Sequence, residues 1–183
     1  MKLGIIRGSS STRGNTDGIL NWLLPFIKGN YQIAGPGIAP YPTELLIDQY
    51  LPAMVTKYPP QVKPWADFVR SCQGFIVVTP EYNNGYPGYL KMAMDHLFPE
   101  WKSKPVFIIS FGGRGGAQCY EQLTKVLAGG LKMDVIDGIR ISVPTKYIAG
   151  STKIKGDEPF VTEHSESLKS AVSKLLLSRP FEQ

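Results

Sequence analysis

No apolar run in this sequence of 183 residues approaches the roughly 18 residues that cross a bilayer, so no membrane partner is expected. Cysteine is scarce: Cys72 and Cys119 lie far apart, and neither opens a Cys-x-x-Cys pair or a Cys-x5-Arg loop. A disulfide scaffold and a thiol phosphatase are therefore set aside. The two histidines, His96 and His164, have no metal-ligand spacing to each other or to cysteine, and read as surface or helix-end residues. No bound metal is expected. Charged residues make up only 19%, and the net charge of +5 is spread along the chain. Nucleic-acid binders usually gather such charge into a stripe, so no nucleic-acid partner is expected. The charge serves solubility, or steers an anionic, phosphorylated ligand. Neither Gly-x-x-x-x-Gly-Lys nor Gly-x-Gly-x-x-Gly occurs, which disfavours a nucleoside triphosphatase and a dinucleotide loop of that kind.

Against these absences stand 19 glycines and 15 prolines, an excess that predicts many turns and sites built from backbone. The length predicts a single domain over residues 1–183, large enough to fold without staples. The apolar stretch Leu3-Gly4-Ile5-Ile6 is too short for a signal-peptide core and ends at Arg7, so a cytoplasmic setting with reduced thiols is expected.

Apolar runs of strand length occur at Leu3–Ile6, Phe75–Thr79, Val106–Ser110 and Val135–Val143, with a poorer one at Tyr31–Ala34, extending at most to Ala39. Gly35, Pro36 and Gly37 interrupt that run and predict an edge position. Between the runs the apolar period becomes helical, as in Ile19-Leu20-Leu23-Ile27, Val62-Trp65-Ala66-Val69-Cys72, Leu90-Ala93-Met94-Leu97 and Leu168-Ala171-Val172-Leu175-Leu176. A less periodic helix is expected around Ala117–Leu127, a long connection over 40–60, and a stop at Pro180. Five strands alternating with helices predict an α/β fold with a parallel sheet covered on both faces. The common strand order is 2-1-3-4-5, with ligands at the carboxyl ends of the strands.

Three loops at those ends carry chemistry. Arg7 to Thr16 holds hydroxyls, glycines and two arginines, with Ser9, Ser11, Arg13, Asn15 and Thr16 before or at a helix start. That set suits a phosphate. A solvated serine-rich loop looks similar, and Asn15 or Thr16 alone can cap a helix, but the position straight after the first strand favours phosphate. Thr79 to Gly88 has two stiffening prolines, two glycines and the flat faces of Tyr82 and Tyr86, which suits a planar ring. Phe111 to Gly116 brackets Arg114 with four glycines, whose bare backbone admits close approach. A phosphate grip beside a platform for a flat ring describes a flavin mononucleotide (FMN) site.

Pro80-Glu81-Tyr82-Asn83, followed by Pro87-Gly88-Tyr89-Leu90-Lys91 and Asp95, closely resembles the signature of the NADPH-dependent FMN reductase family. Gly8-Ser9 and Gly112-Gly113-Arg114-Gly115-Gly116 also look like that family's loops. Ser11 stands where the family usually has arginine, and Met92 where asparagine is common. The resemblance implies a flavodoxin-like three-layer sandwich. It further implies that Ser9, Ser11, Arg13, Asn15 and Thr16 hold the flavin phosphate, that Pro80, Glu81, Tyr82 and Asn83 line the isoalloxazine, and that Gly112, Gly113 and Arg114 meet its pyrimidine side. The implied activity is an oxidoreductase passing a hydride from NADPH through FMN to a small-molecule acceptor: a quinone, an azo compound, free flavin or a ferric chelate. The flavin does the chemistry, so no catalytic side chain is named. The alternative is a non-enzymatic electron carrier or redox-sensing flavoprotein. Lys91 and Asp95 resemble residues at subunit contacts. With the apolar stretch Met92, Met94, Leu97, Phe98 and Trp101, they point to a homodimer, or a tetramer.

Overall fold

The computed structural model describes residues 1–11, 14–42, 51–55 and 57–178. Strands β1 (Lys2–Arg7), β2 (Asn30–Ala34), β3 (Gly74–Pro80), β4 (Pro105–Gly112) and β5 (Asp134–Ser142) pair in parallel in the order β2-β1-β3-β4-β5. Helices α1 (Asn15–Leu23), α2 (Lys63–Ser71), α3 (Gly88–Asp95), α4 (Ala117–Thr124), α5 (Thr145–Ile148), α6 (Pro159–Thr162) and α7 (Ser165–Leu177) complete the flavodoxin-like sandwich expected from the sequence.

The two-residue period of a strand explains why the central runs are apolar throughout. Phe75 and Val77 of β3 face one layer, with Trp65 and Val69 of α2 and Leu90 and Met94 of α3. Ile76 and Val78 face the other, with Ile19 and Leu23 of α1 and Leu168 and Leu175 of α7. Each fully buried side chain of this kind contributes about 1.5–3 kcal/mol.

Several expectations are corrected. The run over Val135–Val143 is an edge strand, not one buried on both faces: Asp134, Asp137 and Arg140 are exposed, and its register slips beside Val106 and Phe107. β2 is the expected edge strand ending at Ala34, and only its extension to Ala39 fails, because Gly35 turns back onto Ile38. The expected helix at Ala117–Leu127 is α4 followed by a wider turn, Lys125–Gly130, and the short α5 and α6 left no periodic signal. His96 is the helix-end residue of the two expected alternatives, the C-cap of α3, and is buried with its Nδ1 2.6 Å from Met92 O. His164 sits at the start of α7. Met94, Leu97 and Trp101 are buried inside this chain's own core, which removes most of the apolar stretch offered for a dimer. Cys72 and Cys119 are free thiols, both buried. Arg13, part of the 40–60 connection and Pro180 lie outside the described residues.

Candidate functional site

The loops after β1, β3 and β4 converge on a cleft of about 250 Å³ at the carboxyl edge of the sheet. From the first loop, Ser9, Ser11, Asn15 and Thr16 line it. Gly8 starts this loop because a Cβ there would lie 2.6 Å from Thr79 Oγ1. Ser9 is buried, and its Oγ accepts from Ser11 N at 3.2 Å and lies 3.4 Å from Tyr82 Oη. Ser10 Oγ and Tyr89 Oη, 2.6 Å apart, tie the loop to α3.

Two further polar side chains here are engaged by the protein itself. Arg7 points inward, 3% exposed, donating to Asp17 Oδ1 at 3.0 Å, to Ser9 O at 2.6 Å and to Ser11 O. Its charge is balanced by Asp17, so it braces the loop and does not face the cleft. Asn15 donates from Nδ2 to Tyr147 O at 2.8 Å and accepts Ile154 N on Oδ1 at 3.0 Å. Its amide is therefore a clasp and not a helix cap. Gly14 is the N-cap of α1 and no side chain caps that end, so the first N–H groups of α1 keep no side-chain acceptor. Uncapped amides, a helix dipole and the hydroxyls of Ser9, Ser11 and Thr16 form a donor set that fits a phosphate.

The second loop supplies Pro80, Glu81 and Tyr82. Glu81 N donates to Phe111 O at 2.7 Å, and Glu81 Oε2 accepts Gln118 N and Cys119 N at 3.0 and 3.2 Å. Its carboxylate thus caps α4. Asn83 and Asn84 have φ of 50° and 64° between the paired residues Tyr82 and Gly85, the backbone of a type I′ turn. Asn83 shapes that turn and does not line the cleft. Tyr82 is 45% exposed and offers its ring as a platform.

Gly112 and Gly113 line the cleft from the third loop, whereas Arg114 is exposed outside the lining. Gly116 has φ of 62°, and a Cβ there would lie 2.6 Å from Phe111 N. Beneath the cleft, Cys119 Sγ lies 3.7 Å from Pro80 O, and burial pushes its thiol up to about 12. It is a neutral packing group. Among the described residues no cluster of His, Cys, Asp or Glu is placed to hold a metal.

A fourth wall was not foreseen. Beside Gly14 and Phe111 of the first and third loops, the cleft is lined by Val143, Ile148 and Lys153. The last three follow β5, where the sequence has no glycine-rich or proline-framed motif. The one available signal was topological: β5 also ends at the ligand-binding edge.

A doubly wound sheet whose carboxyl-edge cleft offers donors that fit a phosphate and an exposed tyrosine ring defines a flavodoxin-like class of protein. The model of the NADPH-dependent FMN reductase family matches residues 1–147. The chain is 34% identical over 189 residues to an NAD(P)H-dependent FMN reductase of Schizosaccharomyces pombe, covering 98% of this chain and 92% of the relative. It is 41% identical over 76 residues to a quinone reductase of Escherichia coli K12, covering 38% of this chain and 40% of that protein. The solved flavoenzyme NAD(P)H:(acceptor) oxidoreductase FerB of Paracoccus denitrificans matches in fold, with a TM-score of 0.66, 20% identity, and coverage of 96% of this chain and 94% of that one. This chain belongs to the NADPH-dependent FMN reductase family. It is accordingly an oxidoreductase that works with FMN and NADPH, and not a passive electron carrier.

Proposed function

We propose that this protein reduces small, diffusible acceptors such as quinones, azo compounds, free flavins or ferric chelates at one open flavin face. The observation that carries this reading is the chemistry of the cleft wall. Apart from Glu81, whose carboxylate is held by α4, and Lys153, the described lining residues carry no charged side chain. A wall of backbone, hydroxyls, apolar groups and one exposed tyrosine demands no particular charge of an acceptor. It selects for a flat molecule that fits over Tyr82. Bound FMN supplies two-electron chemistry, taking reducing equivalents from NADPH and giving them to the acceptor.

On this reading the uncapped amides of α1 with Ser9, Ser11 and Thr16 hold the flavin phosphate. Pro80, Tyr82 and the backbone of Glu81 border the ring, and the backbone of Gly112 and Gly113 meets its pyrimidine side. Arg114 lies beyond the lining as an attraction for the phosphates of NADPH. The protein acts as a homodimer in the cytoplasm, with Lys91, Asp95 and the half-buried Met92 and Phe98 of α3 and the segment after it at the contact.

The test is a flavin titration followed by turnover. Protein mixed with FMN should gain a bound-flavin spectrum that NADPH bleaches anaerobically. Steady-state rates with a small quinone should give parallel double-reciprocal lines, because donor and acceptor take turns on one face. Protein that gains no flavin absorbance on adding FMN, or an FMN-loaded form that oxidises NADPH with none of the four acceptor classes, would overturn the reading. Sedimentation showing only monomer at micromolar concentration would remove the dimer.

A further inference from the structure

We propose that Lys153 is a flavin-phosphate ligand, carried to the site by the segment after β5 and clasped there by α1. This inference rests on the FMN reading above.

The argument begins with charge. A phosphate held only by neutral donors is held less tightly than one that also meets a cation. Arg7, the arginine nearest the cradle in sequence among the described residues, is neutralised by Asp17 and bonded to the carbonyls of Ser9 and Ser11. Among the described lining residues, Lys153 is the one cation. Its Nζ makes a single long contact, 3.4 Å to Gly150 O, and it joins no ion pair with a described residue. Among the described residues its charge therefore has no carboxylate to satisfy it.

Position gives the second part. Lys153 immediately precedes Ile154, whose N–H is fixed 3.0 Å from Asn15 Oδ1 at the start of α1. The same Asn15 amide holds Tyr147 O, so one side chain clasps the segment at both ends. Gly18 lets that segment lie directly on α1, because a Cβ there would be 2.1 Å from Ile154 O. Gly156, at φ 107°, fits against Gly18 O in the same way. Ile154 is buried beneath. These contacts fix the backbone of Lys153 at the phosphate end of the cleft and leave its side chain exposed to swing. They also give Asn15 a reason to be spent on backbone and not on ligand. Lys153 lies past residue 147, where the family match stops, so the assignment comes from this chain's geometry.

The experiment titrates FMN and riboflavin, which differ only in the phosphate, against wild type, Lys153→Gln and Lys153→Arg, followed by quenching of flavin fluorescence at two salt concentrations. Lys153→Gln should weaken FMN about tenfold, as loss of a charge-assisted bond does. It should leave riboflavin unchanged and flatten the salt dependence for FMN. Lys153→Arg should keep FMN affinity within about twofold, since the charge survives. Equal losses for FMN and riboflavin would mean that the substitution only disturbs the wall, and would overturn the proposal. Unchanged FMN affinity in Lys153→Gln would overturn it too, with the FMN reading intact. Wild type that binds neither flavin would instead bring down the FMN reading, and this proposal with it.

Discussion

Gly18→Ala reverses the sign that helix propensity assigns to it. Gly18 is the fourth residue of α1, and on propensity alone alanine there stabilises by about 1 kcal/mol. The structure adds a larger opposing effect. The new Cβ would sit 2.1 Å from Ile154 O and 2.4 Å from its carbonyl carbon, both backbone atoms that no rotamer change removes. Either the segment around Ile154 lifts off α1 or α1 tilts. Overpacking of this kind costs about 1–3 kcal/mol. A lifted segment also loses the 3.0 Å bond from Ile154 N to Asn15, at about 1 kcal/mol. The net expectation is destabilisation of about 1–3 kcal/mol after the propensity gain. For a chain of this size that lowers the melting temperature by about 2–4 °C per kcal/mol. Thermal and urea unfolding of the flavin-free protein measure it, and a flavin titration should show weaker FMN as Lys153 is carried away. A variant that melts above wild type would refute the reasoning, because it would mean that the segment does not rest on Gly18.

Asp17→Asn should destabilise by about 1–3 kcal/mol in urea, since it leaves the 3%-exposed Arg7 without its carboxylate; an unchanged midpoint would show the pair to be idle. Glu81→Gln keeps an acceptor for α4 but removes the charge at its N-terminus, for a loss of about 0.5–1 kcal/mol in the same assay; no loss would mean that the cap is neutral. Burial holds Cys119 up to about 12 and also raises Cys72, so at about pH 8 the native protein should resist a thiol reagent that labels both cysteines once it is unfolded. The unfolded thiols ionise first, near about 8.5, so this pair makes the fold lose stability as pH rises from there. Rapid labelling of native protein would contradict the burial.

The parts legible in the sequence were those written in a repeating pattern. Phe75–Thr79 and Val106–Ser110 are apolar on both strand faces because helices cover both, and that alone gives a parallel sheet. The Pro80–Asn83 and Gly112–Gly116 loops were legible because proline and glycine restrict or free the backbone at short range. The illegible parts depend on meetings between distant residues. Nothing near Asn15 says that its amide will hold Tyr147 and Ile154, more than 130 positions away. Nothing near Arg7 says that it turns inward to Asp17, a partner on the far side of the loop. Met94, Leu97 and Trp101 looked like surplus apolar area because the aromatic neighbours that cover Trp101, Trp65 and Phe75, come from other elements. Lys153 had no motif around it, only a place in the topology.

The residues that turned inward share a physical logic. A loop that holds a phosphate with N–H groups must keep those groups aimed without a ligand present, and backbone cannot hold itself against solvent. Arg7 fixes the carbonyl of Ser9 from behind, so the opposite edge of that peptide, the N–H of Ser10, is constrained too. Glu81 bonds α4 through its side chain and β4 through its own N–H, so the backbone it brings to the cleft is held on both sides. Asn15 does the same for the wall that carries Lys153. These polar side chains thus serve as fixings for backbone that borders the cleft. Substituting them should therefore change flavin affinity and fold stability together, whereas Lys153→Gln should change affinity alone.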